Sequence, residues 1–410
     1  MATQKPLGRV RLILVLGGLI MGLVVMEVAL HIVGYSFPIW YSNDPYTGYS
    51  LRPGMTGWYT REGLSYVRIN SDGMRDREHT RTKPPDTIRI AILGDSFAEA
   101  MHIPAENTFW SLMESKLKGC TGKNVEVLNF GVSGYGTALE FITLQRKVWD
   151  YQPDVVILAF LSLNDVSDNS RELKRTDKVP YFVYRDGRLT LDDSFLRTDA
   201  YQNSNSSLYR LGRWIRDRSR VVQAVHNFQY VVKSWLDDRR ERKRLAAQKA
   251  TIQTNGLIAT ESAAPGNTDF EIYSEPHAPV WIDAWQVTEG LIRITRDDVT
   301  SHGAGFLLVT LSNDVQVLPN PMARENFLKS VGGTDLFYPE KRIIALGQRE
   351  GFDVLTLAPR MQAYAEQHQV YLHGFGANIG NGHWNSTGHA VAADLMTPKV
   401  CELLRTRPNL

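Results

Sequence analysis

The chain has 410 residues, 43% of them hydrophobic and 22% charged, the composition of an ordinary globular protein with room for one large or two medium domains. Its net charge of +2 gives no electrostatic argument for a nucleic-acid partner. Only two cysteines occur, Cys120 and Cys401, and the sequence has no metal-type Cys/His spacing, so neither a metal nor a cofactor is expected.

Residues 12–33, LILVLGGLIMGLVVMEVALHIV, are almost wholly apolar, and as a helix they would span about 33 Å, which matches a bilayer core. Lys5, Arg9 and Arg11 precede this run, so the positive-inside bias predicts a single pass with the N-terminus cytoplasmic and the remainder periplasmic or extracellular. A cleaved signal peptide wants a shorter apolar core and small residues at its cleavage site. Here the run is long and Glu27 stands two residues before Ala29, so an uncleaved anchor is expected. Glu27 and His31 fall one helical turn apart near its outer end, within reach of the interface or of each other.

From Tyr35 to Thr60 the chain is dense in Tyr, Trp and Phe. The first of these suit an interfacial aromatic belt, and the rest suit the core of a small leading layer, in which residues 66–76 read as a strand ending in an Asp-Gly turn. The expected organisation is an anchor over 1–34, a juxtamembrane segment and leading strand layer over 35–86, and a main domain over 87–410.

From residue 87 onward strand and helix patterns alternate. Runs rich in Val, Ile and Leu at 87–93, 125–130, 154–160, 305–311 and 352–357 suit strands buried on both faces. Helical patterns lie near 106–118, 137–148, 282–301, 338–349 and 386–405. This alternation predicts a parallel sheet with helices on both faces. Residues 166–281 interrupt it far beyond the usual crossover length. Within them, residues 207–248 carry apolar residues mostly three or four apart and end in the basic run Arg239-Arg240-Glu241-Arg242-Lys243-Arg244, while 250–270 read as a small, polar, mobile loop. A lid and a surface-lying helix near the membrane are two readings of this insertion; the bland one makes the basic run a solvated face.

The chemistry gathers at the carboxyl ends of the predicted strands, where open parallel sheets hold their ligands. The first strand runs into Gly94-Asp95-Ser96, the second into Asn129-Phe130-Gly131-Val132-Ser133-Gly134-Tyr135-Gly136, and the third into Leu161-Ser162-Leu163-Asn164-Asp165; Gly382-His383-Trp384-Asn385 leads into the last helix. A serine, glycine-turn amides, an Asn donor and a late His are what acyl transfer needs: a hydroxyl to attack, an imidazole to take and return its proton, and donors to hold the oxyanion. Asp95 and Asp165 read as structural carboxylates that bond nearby amides, and Trp384 and His389 as packing or cleft-lining residues.

With these four blocks in this order, over roughly 66–166 and 282–405, the chain resembles the SGNH, or GDSL-type, hydrolase superfamily. The resemblance implies a flavodoxin-like three-layer α/β/α sandwich. It implies Ser96 as nucleophile, His383 as base, and an oxyanion hole made of the Ser96 amide, the Gly134 amide and the Asn164 side chain. It also implies an ester hydrolase of the esterase, lipase or carbohydrate O-deacetylase type acting on an acyl ester such as an acetylated glycan or lipid. The alternative is an O-acyltransferase or a non-catalytic component of a cell-envelope polysaccharide system. An α/β-hydrolase is a poorer match, because Ala98 replaces the last glycine of G-x-S-x-G.

Many relatives carry an aspartate two or three residues before the base. Gly380 and Asn381 stand there in this chain, so a Ser–His dyad is expected, its ring oriented by the Asn381 side-chain oxygen or a backbone carbonyl. In the flavodoxin-like order the helices carrying Cys120 and Cys401 lie side by side; an exported domain permits a disulfide between them, and two separate buried thiols are the alternative. Asn385-Ser386-Thr387 is a glycosylation sequon beside the base, where a glycan would block the cleft, so a bacterial-type exported protein is expected.

Overall fold

The computed structural model describes residues 7–233, 236, 239–240 and 268–406. The chain divides into two compact units, one of Met1–Trp40, Thr56–Trp58 and Asn205–Ala259, the other of Tyr41–Met55, Tyr59–Ser204 and Thr260–Leu410.

The second unit is built on five parallel strands: β1 (Thr87–Gly94), β2 (Asn124–Asn129), β3 (Val155–Phe160), β4 (Gly305–Thr310) and β5 (Asp353–Thr356). They pair in the order β2-β1-β3-β4-β5, the flavodoxin-like order, whose switch point lies between β1 and β3. Register is set by apolar partners such as Ile90 with Val127, Ile92 with Ile157 and Leu158 with Leu308. Every position of β1, β3 and β4 is buried, because helices cover both faces and each continuous apolar run then has no solvent side.

On one face Phe109–Thr121 packs against the last helix, Ser386–Arg405, with Ala358–His368 beside it; Thr137–Arg146, Pro279–Ser301 and Tyr338–Glu350 cover the other. The first two helices are joined by a Cys120–Cys401 disulfide with a Cα–Cα distance of 6.2 Å, so the paired reading of the cysteines holds. The leading segment contributes a hairpin of Tyr41–Asp44 with Gly48–Leu51. The insertion is not wholly helical: Tyr181–Arg185 and Arg188–Asp192 pair as a hairpin against Pro279–Ser301. Its alternation of aromatic, aliphatic and charged residues is too short and irregular to show in the sequence as a strand pair.

In the first unit Leu7–Ile32 is one helix, and Gly8–Ile32 is long and apolar enough to cross a membrane. Two further helices follow in this unit, Ser207–Arg218 and residues 220–233. Residues 241–244 of the expected basic run and residues 250–267 of the loop expected over 250–270 lie outside the described residues, and the last three positions of that loop begin the 3-10 turn Thr268–Tyr273.

Candidate active site

Ser96 stands two residues past Gly94, the end of β1, and begins the single-turn helix Ser96–Glu99, whose N-cap Asp95 accepts the Phe97 N–H at 2.8 Å. The turn turns the serine hydroxyl away from the sheet while Phe97 and Ala98 go into the core. His383 comes from the loop before Ser386–Arg405, and its Nε2 stands 2.7 Å from Ser96 Oγ. On the other side of the ring, Nδ1 makes a short hydrogen bond to Glu62 Oε2. Glu62 Oε1 accepts the backbone N–H of His383 at 2.8 Å. One carboxylate thus holds both the ring and the backbone of His383 and keeps the imidazole proton on Nδ1, leaving the Nε2 lone pair to accept the serine hydroxyl.

This corrects the expectation of a dyad oriented by Asn381 or a backbone carbonyl. The acid that Gly380 and Asn381 do not provide comes from the leading segment, 321 residues away in sequence, and Asn381 lies exposed beside the site. Glu62 is seated by close backbone approach: a Cβ on Gly382 would stand 2.4 Å from Glu62 Oε1, and one on Gly63 would stand 2.2 Å from the His102 carbonyl. Both glycines take left-handed φ angles, +87° and +62°, which side chains rarely adopt. The His383 loop is held further by the Gly382 N–H donating to Asp314 Oδ2 at 2.8 Å and by the Gly382 carbonyl 2.6 Å from His373 Nδ1.

Aromatic rings enclose the base. Phe97 lies 4.9 Å from His383 and 5.2 Å from Trp384 between centroids, and His102 stacks on His383 at 4.9 Å. Trp384 and His389 are fully buried, so they pack behind the site rather than line it. Ligand atoms of Glu62, His102 and His383 lie within 4.8 Å of one another; His102 Nε2 is 3.3 Å from His389 Nε2, and the other two residues bond each other.

The donors meet the same edge. Asn164 sits in Ser162–Asp168 after β3, with its Nδ2 3.4 Å from Asp95 Oδ2. Gly134 lies in the turn after β2, which is tied to the end of β1 by the Val132 N–H donating to the Gly94 carbonyl at 3.0 Å. Tyr49 donates its hydroxyl to the Ser133 carbonyl at 2.9 Å. That carbonyl shares a peptide unit with the Gly134 N–H, so the phenol fixes where the amide points. Ser133 Oγ donates in a short bond to the buried Glu99 carboxylate, which also accepts the Tyr41 hydroxyl at 2.9 Å. Lys174 Nζ donates to the Gly134 carbonyl at 2.6 Å. Tyr41, Tyr49, Glu62 and Glu99 were not legible as site residues. The one available signal was that Glu62 is the only glutamate between Glu27 and Glu78 in a chain whose base lacks its usual acid.

Electrostatics follow the geometry. Burial pushes the His383 imidazolium pKa down, but the Glu62 hydrogen bond and charge more than offset it, and the net shift is upward. Burial pushes Glu62 up, yet the three His383 contributions leave it below the usual carboxylate range, ionised. Burial raises Asp95 to about 6 against the Phe97 amide and the His383 charge. Asp165 Oδ2 accepts the Leu161 N–H at 2.8 Å, and burial then nearby carboxylates push its pKa well up. Both aspartates brace backbone turns. Asn385 Oδ1 caps the last helix by accepting the Thr387 and Gly388 N–H groups, and its Nδ2 donates to the Tyr371 carbonyl at 2.9 Å and the His373 carbonyl at 3.4 Å, so a glycan on that nitrogen would leave one N–H for two carbonyls.

No known family profile and no curated protein matches the chain. Solved structures similar to it include the acetyl xylan esterase AlAXEase, at 14% identity over 76% of this chain and 100% of that one with a TM-score of 0.37. A lipase/acylhydrolase from Enterococcus faecalis is similar at 10% identity over 77% and 96%, TM-score 0.35. A catalytic mutant of an acetylxylan esterase from Geobacillus stearothermophilus is similar at 9% identity over 78% and 96%, TM-score 0.37. The chain's own strand order and helix-covered parallel sheet are those of a flavodoxin-like three-layer α/β/α sandwich, and Ser96, Gly134, Asn164 and His383 meet at its carboxyl edge.

Proposed function

We propose that this chain is a serine ester hydrolase working through a Ser96–His383–Glu62 triad, held to a membrane by Leu7–Ile32 with its N-terminus cytoplasmic and the triad on the far side. The hydrogen-bonded line from Glu62 through His383 to Ser96 carries the reading. His383 takes the serine proton as Oγ attacks an acyl carbon, Glu62 steadies the imidazolium that forms, and His383 returns the proton to the departing alkoxide. Water then attacks the acyl-serine with the same histidine as base. The Ser96 and Gly134 amides and Asn164 Nδ2 are the donors for the oxyanion. Arg9 and Arg11 at the start of the apolar helix support the orientation.

Steady-state turnover of p-nitrophenyl acetate and of acetylated glycans, with a serine-directed probe, tests the reading. Ser96→Ala and His383→Ala are each expected to remove nearly all turnover, and Ser96→Ala to abolish labelling. A chain that turns over none of these esters and is not labelled is no hydrolase of this type, and a fully active His383→Ala would remove the base.

A further inference from the structure

Resting on the anchor reading above, we propose that Ser207–Arg218 and the helix over 220–233 form an interfacial pair that lies on the surface of an anionic bilayer. Ser207–Arg218 buries none of its residues. Leu208, Leu211, Trp214 and Ile215 are 83%, 53%, 52% and 41% exposed, and their spacing puts them on one face. Arg210, Arg213 and Arg216 occupy the rest of the circumference, where Asp217 is the lone acid. Arg218 lies over the Trp214 ring at 4.4 Å. The following helix repeats the pattern with Val222, Val225, Phe228 and Val232 exposed along one face. Phe228, Val232 and Leu236 there line a groove of about 390 Å³ rimmed by Lys233 and Arg240, apolar inside and cationic at its edge.

What commits this surface to lipid is where it begins. Glu27, inside the apolar helix, accepts Ser219 Oγ at 2.8 Å, the Arg220 N–H at 2.6 Å and the Val221 N–H at 3.0 Å. It therefore caps the second helix from a point five residues before Ile32, about 7.5 Å from the end of the anchor and within its last two turns. A carboxylate in a spanning segment is otherwise costly, and this cap accounts for it. Two amphipathic helices meeting the anchor near its outer end, each with exposed apolar side chains along one face, the first with Arg210, Arg213 and Arg216 around the rest and the second with Arg220 and Lys233 at its ends, match the chemistry of an anionic lipid surface.

The test uses the full chain reconstituted in vesicles of brominated phosphatidylcholine with and without phosphatidylglycerol, washed in alkaline carbonate. The chain is expected to pellet with the vesicles. Bromolipid quenching of its tryptophan fluorescence is expected to rise with phosphatidylglycerol, and Trp214→Phe to lose that increment. Arg210→Glu with Arg213→Glu is expected to bring quenching down to the zwitterionic level while Ser96 labelling stays unchanged. A chain that pellets but whose Trp214 is not quenched overturns the surface proposal and leaves the anchor standing. Release by carbonate overturns the anchor and the surface proposal with it. Shielding of Trp214 from aqueous acrylamide without bromolipid quenching marks a protein partner, and also overturns it.

Discussion

The turn after β1 and the leading segment over 41–63 contribute to the same site by opposite routes. Gly94-Asp95-Ser96 is placed by local rules: an apolar strand delivers it to the sheet edge and Asp95 caps the next turn. Glu62, Tyr49 and Tyr41 follow no such rule. They sit in short strands and turns, and each acts through a residue 58 to 321 positions away. The lesson is that the sheet sets the nucleophile and the donors, while a segment outside the sheet sets the charge and direction of what surrounds them.

The sharpest way to break that comparison is to remove the Glu62 charge without its shape. Glu62→Gln is expected to cost about 10⁴-fold in kcat, as loss of the acid does in a working triad, while Asn381→Ala stays near the parent value in the same steady-state assay. If Asn381→Ala were the damaging change, the dyad reading would return.

Next in size is a stability effect confined to the sheet domain. Replacing Cys120 and Cys401 by Ala, which opens a loop of 281 residues, is expected to lower unfolding free energy by about 5 to 6 kcal/mol in the chain-entropy model, read by denaturant melts, with kcat at low temperature unchanged. Thiol counting on the denatured, unreduced chain is expected to find no free thiol.

Tyr49→Phe sharpens the comparison from the leading-segment side. Removing the hydroxyl that holds the Ser133–Gly134 peptide is expected to cost about tenfold in kcat, below the 10²-fold or more that accompanies loss of an oxyanion donor itself, with KM little changed. A rise in KM with kcat unchanged would make Tyr49 a binding residue instead.

The smallest expected effect lies under the donors. Glu140 is buried with no partner for either carboxylate oxygen, and burial followed by the charges of Asp95 and Asp168 raises its pKa well above the usual value. The folded chain therefore keeps a proton that the unfolded chain loses, and this contribution to stability falls as pH rises above the ordinary carboxylate range. Glu140→Gln is expected to flatten that fall, so thermal melts of variant and parent should diverge in the variant's favour between acid and neutral pH.

Much of the fold was legible for a physical reason. Strands buried on both faces need runs rich in Val, Ile and Leu, and β1, β3 and β4 carry that mark, while the edge strands β2 and β5 carry it in part. The turns that carry Ser96, Gly134 and Asn164 could be read because glycine turns and polar residues at strand ends are local patterns, and the structure brings His383 to Ser96. Glu62 could not, since one carboxylate in a polar turn has no periodicity and its partner is distant in sequence. The Tyr181–Arg185 hairpin escaped for a related reason: it is half exposed and pairs locally, with no buried run to announce it.

The pH dependence of kcat/KM tests the central claim most directly. The acid limb reports the free enzyme's base, and His383 must be neutral to accept the serine proton. Glu62 raises its pKa against burial, so the parent should lose activity on acidification at a pH above the ordinary histidine value. Glu62→Gln leaves burial unopposed, and its residual activity should show the acid limb moved to lower pH. An acid limb unchanged in Glu62→Gln, in a variant that folds and is labelled at Ser96, would contradict the triad.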